Sequence, residues 1–118
     1  ALLDVQAATL ANQASNYLVG GLVPERLGNA HPNIVPYQAF STSDGHIIIA
    51  VGNDQQFSRL CDALEQSELA NDERFITNGA RVNNRNHLCD VIQQNLKQHG
   101  SAQWLEKLKQ CKMCLKKN

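Results

Sequence analysis

The sequence predicts an α+β domain, and three observations predict it. Apolar residues recur at helical spacing in four separate stretches, two short strand-like runs flank a Ser-Asp-Gly turn, and a proline- and glycine-rich segment divides the first helix from the rest. The chain has 118 residues, 42% of them hydrophobic, enough for one core and too few for two.

Leu3, Ala7, Leu10, Ala14 and Leu18 define one face of a helix over about 2–18, and Gly20 and Gly21 come next as a stop. No capping residue precedes this helix, because residue 1 already lies inside the periodic pattern; the expectation is a helix continued from something longer. Gly20, Gly21, Pro24, Gly28, Pro32 and Pro36 then keep residues 20–36 out of helix and central strand, so an ordered loop is expected. The run YQAFSTSDGHIIIAVG reads as a β-hairpin with strands at 37–42 and 46–51, in which Gly45 would take a positive φ cheaply.

Asn53 or Asp54 can cap the next helix, whose face is Phe57, Leu60, Cys61 and Leu64 at i, i+3, i+4, i+7. A short turn covers SELAND. Leu88, Val91, Ile92 and Leu96 form one stripe of a further helix ending at Gly100, and Ser101 is placed to cap a last helix bearing Trp104, Leu105 and Leu108. The resulting order is an N-terminal helix, a long loop, a β-hairpin and three to four amphipathic helices. In residue bounds this is a flanking helix at 1–20, a linker loop at 21–36, a small α+β domain at 37–110 and an irregular tail at 111–118, where periodicity stops.

Eleven basic and 11 acidic residues cancel, so no overall field gathers nucleic acid or anionic lipid. The longest apolar run, HIIIAVG, is far short of the roughly 20 residues that cross a bilayer. Cys61, Cys89, Cys111 and Cys114 have irregular spacing, two of them on helical patterns, and no signal-peptide pattern accompanies them; reduced thiols and a cytoplasmic location are expected. Cys111 and Cys114 have the C-x-x-C form, yet no second pair or His knuckle completes a zinc set, and the motif trails a helix where a redox pair opens one. No metal is expected.

Three stretches could bear chemistry. In GNAHPNIVPY, Gly28 and Asn29 allow unusual backbone geometry and two prolines stiffen the residues beyond them, so the loop could present N–H groups or His31 to a ligand; a rigid linker is the plainer reading. At the strand-to-helix turn AVGND, free N–H groups suit an anion, but the carboxylate of Asp54 competes for that place as a cap. Arg81 and Arg85, at i and i+4, could grip a phosphate, although two exposed or acid-paired arginines on a helix are the commoner arrangement. The lysines from Lys107 to Lys117 read as a solvated face.

Taken in order, ERLGNAHPNIVPYQAFSTSDGHIIIAVGNDQQFSRLCDAL, ELANDERFITNGARVNNRNHL and the Trp104-x-x-x-Leu108 pair resemble the family III CoA-transferases, the CaiB/BaiF family, over nearly everything from Leu2 to about Gln110. The resemblance implies a cytoplasmic enzyme of several hundred residues that moves coenzyme A between an acyl-CoA and a carboxylic acid, built from two interlocked ring-shaped subunits. It also implies that this stretch is the small domain with one flanking helix, and that the aspartate forming the acyl anhydride lies upstream of the matched part, leaving no catalytic residue here. Gly28, Asn29, His31 and Pro32 would face the active site, Tyr37 would begin the hairpin, and Asp54 is a candidate acid by analogy with racemase relatives. Coenzyme A is the family's substrate, and its binding by this chain alone is expected to be weak or nil. Where the family continues with a GVP-GP strand, this sequence has CKMCLKKN, as a frameshift or truncation would give. A homodimer, formed by exchange of the first helix, or association with a full-length transferase is the expected partnership.

Overall fold

The structure, a computed structural model, describes residues 1–111. Helices α1 (Leu2–Thr9) and α2 (Ala11–Gly20) precede a long loop; strands β1 (Tyr37–Ser41) and β2 (His46–Ala50) form the hairpin; α3 (Asp54–Ala63), a 3-10 turn (Ser67–Ala70), α4 (Asn78–Asn83), α5 (Arg85–Leu96) and α6 (Ser101–Gln110) complete the order. The expected α+β arrangement is present. The strands pair antiparallel with Tyr37 opposite Ala50 and Phe40 opposite Ile47. Phe40, Ile47, Ile49 and Val51 bury one face of the hairpin, while Ile48 points away and is exposed, as the two-residue period of a strand requires.

That buried face meets Phe57, Leu60 and Cys61 of α3, Leu88, Ile92 and Leu96 of α5, and Trp104 and Leu108 of α6, with Val35 and Phe75 closing the core from the loops. A two-stranded sheet has two free edges, and side chains satisfy the outer edge of β1. Gln93 on α5 behaves as a surrogate strand: the Ser41 N–H donates to its Oε1 at 3.0 Å, and its Nε2 donates to the Ser41 carbonyl at 2.7 Å.

The structure departs from the sequence expectations in several places. The helix expected over 2–18 is two helices, broken at Leu10 (φ −90, ψ 10). The Thr9 hydroxyl donates to the Gln6 carbonyl at 2.7 Å, a local bond that competes with the helical ladder. Helix α2 then runs on to Gly20, and Gly21 takes φ 67, a left-handed stop at which its N–H and that of Leu22 bond the Tyr17 and Asn16 carbonyls. Gly45 does not adopt a positive φ; its lack of a side chain makes room instead, since a Cβ there would lie 3.4 Å from the Ser101 hydroxyl.

Ser101 is the first residue of α6, not its cap. The capping carboxylate is Asp44 from the hairpin turn, whose Oδ1 accepts from the Ser101 N–H at 2.7 Å and from the Ser101 hydroxyl at 2.9 Å. Nor does α5 reach Gly100: it ends at Leu96, whose carbonyl accepts from the Trp104 indole at 2.9 Å, and Gly100 becomes the residue before α6. Asn53 caps α3 through Oδ1 to the Gln56 N–H, one of the two residues expected there. Residues 112–118, with Cys114 and most of the tail, lie outside the described residues.

Candidate functional site

The GNAHPNIVP loop is built from its backbone outward. Gly28 takes φ 61, a left-handed conformation that costs glycine little, and the Ala30 N–H closes the turn on the Leu27 carbonyl at 3.0 Å. The loop then lies along the free edge of β1: Asn29 Oδ1 accepts from the Ala39 N–H at 3.1 Å, and the His31 N–H donates to the Tyr37 carbonyl at 2.9 Å. The rings of His31 and Tyr37 stack, with centroids 5.3 Å apart.

Helices α4 and α5 hold the same segment from the other side. Arg85 donates to the carbonyls of His31 and Pro32 at 2.9 and 2.6 Å. Asn78 donates to the Asn33 carbonyl at 2.8 Å and accepts from the Val35 N–H at 3.2 Å, and Arg81 Nε donates to the Val35 carbonyl at 2.8 Å. Asn78 and Arg81 lie one turn apart on α4 and Arg85 opens α5, so the two consecutive helices together read the backbone from His31 to Val35. The carboxamides of Asn16 and Asn33 exchange two hydrogen bonds of 3.0 Å, joining α2 to the loop.

Arg81 is fully buried. Besides Val35 it donates to the Phe75 carbonyl at 2.9 Å and to Asp54 Oδ1 at 2.8 Å, and its guanidinium lies over the Phe57 ring at 4.5 Å. Of the two plain arrangements expected for Arg81, the solvent-facing one is corrected and the acid-paired one is met by Asp54; every guanidinium nitrogen donates to the protein, and no part of the side chain is open to a phosphate. Arg85 is half-buried, with both terminal nitrogens committed to loop carbonyls. A clue to Arg81 was present in the sequence, since it falls seven residues before Leu88 and 11 before Ile92, in line with the buried stripe.

The structure gathers Gly28, Asn29, His31 and Pro32 into one braced segment, while the carboxylate of Asp54 is engaged by Arg81 at the start of α3. Three carboxylates have their acidity pulled below the ordinary range: Asp44 by the Ser101 N–H and then by the Ser101 and Thr42 hydroxyls, Glu65 by Lys107, and Asp72 to about 2 by Arg74. Burial pushes the Cys61 thiol up to about 12 and raises that of Cys89. Cys61, Cys89 and Cys111 are free thiols. Among the described residues no three His, Cys, Asp or Glu side chains converge as metal ligands. No helix among them is long and apolar enough to cross a membrane.

A helix-covered hairpin with a long loop clamped along its edge defines the small α+β domain of a CaiB/BaiF-type protein. The chain belongs to that family: the model of CoA-transferase family III matches residues 1–117. It is 56% identical over 92 residues to the succinate–glutarate CoA-transferase of Agrobacterium fabrum, covering 78% of this chain and 23% of that protein. It is 41% identical over 104 residues to the human succinyl-CoA:glutarate CoA-transferase, covering 88% of this chain and 24% of that protein. A CaiB/BaiF family crystal structure from Brucella suis superposes with a TM-score of 0.72 at 52% identity, covering 93% of this chain and 29% of that one. The chain thus spans about a quarter of the length of the relatives it matches.

Proposed function

We propose that this chain is the small domain of a CoA-transferase that passes coenzyme A from succinyl-CoA to a short dicarboxylic acid, and that it supplies a covering loop but not the nucleophile. The acid class follows the relatives named for succinate and glutarate. In such a transfer a protein carboxylate attacks the thioester carbonyl, the C–S bond breaks and the thiolate leaves, so the reaction needs a carboxylate poised beside the thioester. The observation that supports inactivity in isolation is the use of the acids: Asp44 caps α6, Asp54 pairs with Arg81, Asp62 accepts from Ser67 and Asp72 pairs with Arg74. None of the carboxylates among the described residues is buried. Purified chain incubated with succinyl-CoA and glutarate should form no glutaryl-CoA by liquid chromatography, and turnover above the buffer rate would overturn the reading. Calorimetry should likewise show weak or no binding of coenzyme A.

A second reading, an assembly module, is favoured by one observation. Leu2, Leu3, Val5, Leu10, Tyr17, Leu18, Val19, Leu22 and Val23 are all exposed, Val19 by 87%, and α1 and α2 bury no residue. Apolar surface of that extent calls for a partner. A dimer that exchanges α1 and α2 across the loop at 21–36 covers it, and the matching surface of a full-length transferase is the other candidate. Sedimentation at high micromolar concentration should find a dimer; a stable monomer would count against exchange.

A further inference from the structure

We infer that Arg85 is a positioning residue that fixes His31 as a neutral hydrogen-bond donor, its Nε2–H presented to an oxygen of the carboxylic acid; the ligand class rests on the function proposed above. Three observations lead there. The Asn33 N–H donates to His31 Nδ1 at 3.1 Å, and an imidazole nitrogen that accepts a hydrogen bond bears no proton, so the proton of the neutral ring is on Nε2. The Tyr37 ring stacks on His31 with 15° between the planes, which holds the imidazole plane, and the Asn33 N–H on Nδ1 orients the ring within it. Among the described residues no acceptor is hydrogen-bonded to Nε2, although the residue is half-buried.

The Asn33 N–H can reach Nδ1 only while the backbone between residues 31 and 33 keeps its turn. Arg85 controls that turn, because its two terminal nitrogens bridge the consecutive carbonyls of His31 and Pro32. A planar fork can hold two carbonyls at once, and the single ammonium of a lysine holds one point. Asn78, at the start of α4, keeps the next carbonyl, that of Asn33. A fixed neutral donor suits a carboxylate or thioester oxygen and adds no net charge to a site that must release one carboxylate and then a thioester re-formed by the retained thiolate.

The test is nitrogen NMR of the His31 ring in the full chain. Wild type should show Nδ1 unprotonated and Nε2 protonated as the single neutral tautomer. Arg85→Lys and Arg85→Ala should both yield averaged tautomers and at least tenfold faster amide exchange at Asn33, with circular dichroism unchanged. Should Arg85→Ala fail to fold, Arg85→Lys alone decides. A wild-type ring protonated on Nδ1, or a variant that keeps the wild-type tautomer, overturns the inference. The readout needs no coenzyme A and no turnover, so its failure leaves the transferase reading standing, and unexpected turnover by the chain leaves the tautomer result standing.

Discussion

Replacing Arg81 by methionine tests the largest local commitment in the fold. The thioether keeps much of the apolar stem and removes every donor. The carbonyls of Val35 and Phe75, each accepting from Arg81 in the interior, are then left without partners. A buried polar group so orphaned costs about 1–3 kcal/mol. Loss of the cation over Phe57 adds about 1–2 kcal/mol at a desolvated site. The ion pair adds little, because the Asp54 side chain is 57% exposed and its charge returns to water; pairs of that kind are worth at most about 1 kcal/mol. Orphaned carbonyls dominate, and the two of them with the lost cation sum to about 3–8 kcal/mol, whose lower end already lowers Tm by roughly 10 °C or more for a domain of this size. Urea melts followed by Trp104 fluorescence measure it, with Asp54→Asn in parallel. A loss below about 1 kcal/mol for Arg81→Met, or an equal loss for Asp54→Asn, would refute the reasoning that the guanidinium serves the backbone first and the carboxylate second.

Acid should weaken the docking of α6. Asp44 and Asp72 have folded-state acidities depressed below the ordinary value of 3.8, Asp72 to about 2, so the stability they contribute is present above that value and is lost as pH falls through the folded one. Asp44→Asn should shallow this acid limb in unfolding monitored by Trp104. Gly100→Ala would place a Cβ 2.6 Å from Asp44 Oδ2 and should destabilise by roughly 1–3 kcal/mol through overcrowding. Because Asp44→Ala also removes the cap of α6, the double variant should lose less than the sum of the two single losses, and strict additivity would count against the contact. Cys61, fully buried with its thiol pushed up to about 12, should react with iodoacetamide only as fast as the protein unfolds; rapid native labelling mapped to Cys61 by mass spectrometry would contradict the packing.

Local features of the fold were legible because their causes are local. The hairpin arises from alternation around Ser-Asp-Gly, and α3, α5 and α6 arise from periodic apolar faces whose residues fill the core. What escaped was every interaction whose partner lies far along the chain. Asp44 caps α6 across 57 residues, a task that adjacency gave to Ser101. Arg85 meets loop carbonyls 53 and 54 residues upstream, and Arg81 meets one 46 residues upstream. A guanidinium that binds backbone carbonyls leaves no complementary charge to find in the sequence, so the i, i+4 arginines read as solvent-facing or acid-paired. Gly28, Asn29, His31 and Pro32 were legible as a candidate group through motif resemblance; the hold of α4 and α5 on that loop was not. The break at Leu10 was hidden for the opposite reason, as apolar periodicity continues undisturbed through a hydroxyl bond that redirects one turn.

Only the carboxamide pair of Asn16 and Asn33 links α1 and α2 by hydrogen bonds to the described residues beyond Leu22. Two solvent-accessible bonds, each worth about 0.5–1.5 kcal/mol net, resist pivoting feebly compared with a packed interface. The hairpin domain therefore fixes the bearing of this arm only weakly. Removing that one polar joint would free the arm from every hydrogen bond to the described residues beyond Leu22 while leaving the core contacts as they are.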